Sequence, residues 1–258
     1  MCTVSFIARR TGYALGMNRD EKLTRATALS PARHRIASRD ALFPSEPGGG
    51  TWIGVNDSGA TFALINWYSI PVWVEGESFS RGDVVKSILA ADAPALADRL
   101  LAGAPLPRIN PFRLIGVFPS SESVVEWRWN LRRLERVDHP WKINTWISSG
   151  FDERGAQGSR GKRFVRALQQ ASVGTADWLR RLHRSHGAER GPYSTCMHRD
   201  DAATVSYTEI SVTRRTATMR YLPGAPCCKL PFSTHHLEMI RSNPGNYFKS
   251  ARRESTLR

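Results

Sequence analysis

The chain is expected to be an α+β protein built on layered sheets, and three observations carry that expectation. Its apolar segments run in the order strands, helix pair, strands, helix pair, strands. Short turns join most neighbouring strands, which makes antiparallel hairpins. Residues 60–65 are almost continuously apolar, as a strand buried on both faces is. Hydrophobic residues make up 41% of the 258, and eight are Trp, so a packed core is within reach. Nothing in the middle reads as a linker. The domain is taken as residues 1–225, with 226–258 as a C-terminal extension.

The first hairpin spans the apolar runs 4–8 and 13–17, turning at Thr11-Gly12. It carries Asn18-Arg19-Asp20-Glu21 back beside Cys2. Residues 22–47 are polar and basic and contain Pro31, Pro44 and Pro47, so they read as an irregular surface excursion with a turn of helix at most. Gly48-Gly49-Gly50 is a flexible entry to a strand and lacks the spacing of a phosphate loop. Residues 51–55 and 60–67 form the clearest hairpin, with Gly59 of Asn56-Asp57-Ser58-Gly59 suited to positive φ.

Ser80 or Asp83 caps a helix over 84–89. A second covers 94–101, with Ala95, Leu96, Leu100 and Leu101 at helical spacing, and stops at Gly103 and Pro105. Residues 112–118 and 124–129 pair as a hairpin. Residues 132–138 read as charged and exposed, and 143–147 as a strand running into Ser148-Ser149-Gly150. Helices are expected over 160–171 and 176–186, the latter with Trp178, Leu179 and Leu182 inward. Strands follow at 193–198, 203–212 and 217–221. Beyond Pro223 the chain is Pro-rich, then polar, and disorder is expected in the last eight residues.

The net charge is +14, which suits an anionic partner, but no nucleic-acid module accompanies the arginines. They read as a solvated surface. No apolar run approaches the roughly 20 residues of a membrane helix, and no secretory core is visible, so a cytoplasmic protein is expected. The four Cys make no C-x-x-C pair and are expected as free thiols. Cys227-Cys228 with His235-His236 fits no standard zinc spacing, and Asp200-Asp201 are turn carboxylates; no metal or cofactor is expected. Arg81-Gly82-Asp83 looks like an adhesion tripeptide but sits at a helix start.

Cys2 carries the chemistry. Removal of Met1 gives it a free α-amine of pKa about 7.7–8.0 beside a thiol of about 8.5. The amine can then take the thiol's proton, so nucleophile and base are one residue. A nearby Asp holds the ammonium and a nearby Arg favours the thiolate.

Cys2 and Asn18-Arg19-Asp20-Glu21 resemble the opening of the NRDE family, also called the transport and Golgi organisation type. That family is similar to the N-terminal cysteine (Ntn) hydrolases, such as penicillin V acylase and the bile salt hydrolases. Gly48-Gly49-Gly50-Thr51-Trp52-Ile53-Gly54, Asn56-Asp57-Ser58-Gly59, Ala63-Leu64-Ile65-Asn66-Trp67, Ser80-Arg81-Gly82-Asp83 and Thr204-Val205-Ser206 follow the same pattern, over roughly residues 1–225. The resemblance implies a four-layer α-β-β-α sandwich of the Ntn-hydrolase type. It implies Cys2 as nucleophile, Asp20 holding the amine, Arg19 near the thiolate and Asn66 as oxyanion donor.

Two positions depart from the pattern. The relatives' second Asn corresponds to Ser148 or Ser149 here. Their active-site Arg, three residues before the Asp, is Met17. Arg19 adjoins Asp20 and so is expected on the opposite face of its strand. Arg163, in a segment similar to one that brings an Arg near the nucleophile, is the other source of charge. The implied activity is hydrolysis of a linear amide in a small-molecule substrate. The alternative is non-catalytic binding of haem or of lipid-like or acyl metabolites. Relatives often form homo-oligomers.

Overall fold

The structure, a computed structural model, describes residues 2–187, 189–228 and 230–240. Antiparallel sheet dominates it, and the helices are few. The hairpin of β1 (Cys2–Arg9) and β2 (Gly12–Lys22) lies at the centre of a six-stranded sheet. Gly12 closes its turn at φ 103, and a Cβ there would stand 2.0 Å from the Val212 carbonyl oxygen. β10 (Asn144–Ser148) flanks β1, while β11 (Ala202–Val212), β12 (Thr216–Leu222) and β13 (Ser233–Glu238) extend the sheet beyond β2.

The second sheet has seven strands in chain order. They are β3 (Leu29–Ile36), β4 (Arg39–Ser45), β5 (Ile53–Asn56), β6 (Thr61–Asn66), β7 (Phe112–Phe118), β8 (Ser123–Trp129) and β9 (Leu134–His139). The α-helices among the described residues are α1 (Arg81–Ile88), α2 (Pro94–Ala102), α3 (Glu153–Ala167) and α4 (Ala176–Arg184).

Three apolar clusters hold these elements. Val4, Phe6, Leu15 and Met17 of the first sheet pack with Ile53, Val55, Ala63 and Ile65 of the second. Phe62 and Leu64 of β6, with Leu114 and Trp127, pack instead with Val84, Val85, Ile88 and Leu101 of α1 and α2. β6 is therefore buried on both faces, as its sequence predicts. Ile7 and Ala14 of the first sheet pack with Phe164, Trp178, Leu179 and Leu182 of α3 and α4. Each large side chain so buried contributes about 1.5–3 kcal/mol.

Several expectations are corrected. Residues 22–47 are not an irregular excursion: they contain the β3–β4 hairpin. β3 is a largely exposed edge strand with Pro31 at a register shift, and edges and bulges are where a strand tolerates Pro and charge. Residues 132–138 hide a second charged edge strand, β9, with Leu134 and Val137 less exposed than Arg136 and Asp138. Residues 193–198 form turns with one isolated bridge, His198 to Ala203. Their backbone is satisfied by partners outside any ladder, such as the Ser185 carbonyl accepting from the Cys196 N–H at 3.0 Å.

The third helix begins at Glu153 rather than Arg160, with Asp152 accepting from the Gly155 N–H as its cap. Gly155, Gly158 and Gly161 obscure it, each costing about 1 kcal/mol relative to Ala. The segment beyond Pro223 supplies the edge strand β13, paired to β12. The tail beyond residue 240 lies outside the described residues.

Candidate active site

Cys2 opens β1, directly opposite Arg19 on β2 and Ser148 on β10. Directly opposed residues share a face, so Arg19 points to the same side as Cys2. The expectation that it points away is overturned. Its guanidinium stacks 4.4 Å from the Trp52 ring centroid and pairs with Glu46 at 2.5 Å and Glu21 at 3.5 Å.

Asp20 takes the other face. Its carboxylate pairs with Arg160 Nη1 at 3.1 Å and accepts from Thr204 Oγ1 at 2.6 Å. Arg160 also donates to Thr3 Oγ1 at 2.9 Å and to the Pro192 carbonyl at 3.2 Å. Thr204-Val205-Ser206 is a β-bulge: Thr204 opposes Asp20 and Ser206 opposes Arg19, leaving Val205 extra. Bulges of this kind re-aim side chains next to sites.

Asn18, on the same face as Asp20, donates to the carbonyls of His183 at 2.9 Å and Thr195 at 2.7 Å. Its Oδ1 lies 3.0 Å from His183 Nδ1, and Ser5 Oγ lies 3.1 Å from Nε2. Burial, with Arg160 adding to it, holds the His183 pKa down to about 3. The neutral ring therefore donates through Nδ1 and accepts through Nε2. Successive residues of this string thus alternate. The side chains of Asn18 and Asp20 bind the helical side, while those of Arg19 and Glu21 face a cavity that Asp20 also borders.

That cavity has a volume of about 320 Å³ and is bordered by Cys2, Arg19, Asp20, Trp52, Asn66 and Arg81, among others. Clefts for small molecules start at about 300 Å³. Asn66, at the end of β6, donates through Nδ2 to Tyr68 Oη at 2.8 Å. The loop behind it is fixed by Glu153, whose Oε2 accepts from the Ser69 N–H at 2.6 Å. Burial pushes the Cys2 thiol up; the chain-terminal charge, the Asp20 N–H and Arg19 pull it back, and the Asp20 charge raises it. Burial thus opposes ionisation of the thiol.

Arg81 is the site residue that sequence reasoning missed. Ser80 caps the helix by accepting from the Gly82 N–H, which starts α1 at Arg81. Gly82 permits the close approach to residues 50–51, since a Cβ there would lie 2.8 Å from the Thr51 nitrogen. Arg81 Nη1 donates to the Pro111 carbonyl at 3.3 Å, and among the described residues it forms no salt bridge. Burial lowers its pKa, while Tyr68, Glu21 and Cys2 raise it. Arg160 was missed as well, although the spacing of Ala156, Arg160, Phe164 and Ala167 puts it on the buried face of α3.

Arg163 does not reach the cavity. It donates to the His186 carbonyl at 2.9 Å, one helical turn beyond Arg160. It is not the source of charge at Cys2. Ser148 lies beside Cys2 in register, yet its buried hydroxyl has no hydrogen-bond partner among the described residues, and it does not border the cavity. Ser149 is buried next to it and is likewise absent from the lining. Met17, in the place of the relatives' Arg, is core between the sheets.

The fold is similar to that of penicillin V acylase from Agrobacterium tumefaciens. That structure superposes with a TM-score of 0.53 at 12% identity, over 93% of this chain and 87% of that one. A mutant conjugated bile acid hydrolase from Clostridium perfringens gives 0.48 at 13% identity, over 92% of each chain. The fold is thus of the kind seen in penicillin V acylase. The Transport and Golgi organisation 2 family profile matches residues 1–176, and the chain belongs to that family. The match ends short of Thr204-Val205-Ser206. No protein in the curated set matches the sequence.

Proposed function

We propose that this chain is an N-terminal cysteine hydrolase that cleaves a linear amide in a small molecule, on a four-layer α-β-β-α sandwich. The observation that carries the reading is Cys2 at the wall of a small-molecule-sized cavity, facing Arg19, with Asn66 on the same cavity and Asp20 behind. With Met1 removed, Cys2 Sγ attacks the carbonyl carbon. Its proton passes to the α-amine and then to the leaving nitrogen as the C–N bond breaks. Water then adds to the thioester, releasing the acid and restoring the thiol. Met1 itself lies outside the described residues.

Asn66 is the oxyanion donor in this reading, since Tyr68 engages only one of its two amide hydrogens. Arg81, without a carboxylate partner, is the group that would orient an anionic part of the substrate. Arg19, already neutralised by Glu46, shapes the wall and adds little net charge. Six charged residues on the lining (Arg19, Asp20, Glu21, Arg25, Glu46 and Arg81) favour a polar substrate over haem or a lipid chain. The test is hydrolysis of a panel of small N-acyl amides by the wild type and by Cys2→Ala. Turnover lost in the variant supports the proposal, and equal turnover by both proteins overturns it.

A further inference from the structure

A second cluster of chemically active side chains lies outside the cavity. His186, Cys196, His198 and Cys227 bring one donor atom each within 4.8 Å of all the others. His198 Nε2 is 3.2 Å from His186 Nε2, 3.6 Å from Cys196 Sγ and 3.5 Å from Cys227 Sγ. One ring nitrogen has one lone pair or one hydrogen, so it cannot satisfy three partners at once. A shared centre can. In a tetrahedral site with Zn–N of about 2.0–2.1 Å and Zn–S of about 2.3 Å, donor separations come to roughly 3.3 Å for N–N and 3.6 Å for N–S. The observed contacts match those separations.

We propose that these four residues form a site of two cysteines and two histidines for a zinc ion. Two thiolates balance the charge of the dication, and two neutral imidazoles complete it. Four protein donors close the coordination sphere, which marks a structural rather than a catalytic site. Ligation by the two thiols would release their protons.

The donors come from three stretches: His186 after α4, Cys196 and His198 before β11, and Cys227 after β12. The ion would clip the turn after β12 to the 185–198 loop. That loop also receives Asn18 at Thr195 and Arg160 at Pro192. Between the two central ligands, the Met197 N–H donates to Thr204 Oγ1 at 2.8 Å, and Thr204 holds Asp20. The metal would thus brace the support of Asp20 without touching the cavity. This inference is independent of whether Cys2 is catalytic.

The test uses the full chain, reduced, loaded with Zn2+ and then dialysed against metal-free buffer. Elemental analysis should find about one zinc per chain. Co2+ exchanged into the site should give the intense visible bands of tetrahedral cobalt and a sulfur-to-cobalt charge-transfer band. Cys227→Ser and His198→Asn should lose the charge-transfer intensity or the ion, while Cys228→Ser, one residue away and exposed, should keep both. On wild-type protein, a strong chelator should lower Tm by several degrees, a readout that needs no variant. The proposal is overturned if reduced wild-type protein retains no zinc, or if cobalt gives only weak octahedral bands. It is also overturned if the purified chain carries a Cys196–Cys227 disulfide and takes up no metal after reduction.

Discussion

Cys2 and the pair Cys196 and Cys227 carry the same functional group in two regions with different neighbours. Cys2 borders a cavity, faces a guanidinium and is ringed by carboxylates and further arginines. Cys196 and Cys227 lie outside that cavity and face the His198 imidazole at 3.6 and 3.5 Å. Access, with a base at hand, suits a thiol to attack; convergent neutral nitrogens suit it to bind a metal. The difference teaches that the shell around the sulfur decides its role. The regions are not independent, because Thr204 and Arg160 touch both Asp20 and the loop that carries the second cluster.

The largest effect should separate the regions cleanly. Cys2→Ala should cut turnover by a factor on the order of 10⁴ or more while leaving zinc content at wild-type level. Parallel assays of hydrolysis and bound metal would expose any leakage between the two. Next, Arg160→Met attacks what they share. It removes the guanidinium paired with the buried Asp20 carboxylate, and urea unfolding should show a loss of about 3–5 kcal/mol. A loss under 1 kcal/mol would mean that the pair braces neither region.

Asn66→Ala should lower kcat by about 10²–10³ with little change in KM, as removal of an oxyanion donor does. A change confined to KM would move Asn66 to substrate binding. The smallest effect is a pH slope. His183 is held neutral down to a pKa of about 3. Between that value and an unfolded value of about 6.5, the unfolded chain binds a proton that the folded chain does not. Its contribution is therefore full above about pH 6.5 and falls by roughly 1.4 kcal/mol per pH unit as pH drops. His183→Gln should remove that slope, as read from urea midpoints between about pH 6 and 4.5.

Much of the fold was legible because apolar periodicity survives in buried strands. The β1–β2 hairpin and β6 follow from it directly. What escaped were β3 and β9, edge strands whose charged faces erase the alternation, and the glycine-rich start of α3. The candidate site was legible in that the first hairpin brings residues 18–21 beside Cys2, but the face that Arg19 takes was not, because strand alternation was counted from Asp20 and not from the register with Cys2. It was not legible where helices deliver a residue: Arg160 and Arg163 lie one turn apart, and only packing decides which reaches Asp20. The His186, Cys196, His198 and Cys227 cluster spans residues 186–227 with no recurring spacing, so nothing in the linear sequence marks it.

Intact mass and peptide mapping of the purified chain, before and after exposure to a β-lactam or a thiol-reactive amide, test the role of Cys2 most directly. The expected result is loss of Met1 and one acyl adduct on Cys2, with Cys196, Cys227 and Cys228 unmodified. Retention of Met1, or an adduct confined to the exposed Cys228, would contradict the assignment of Cys2 as an N-terminal nucleophile.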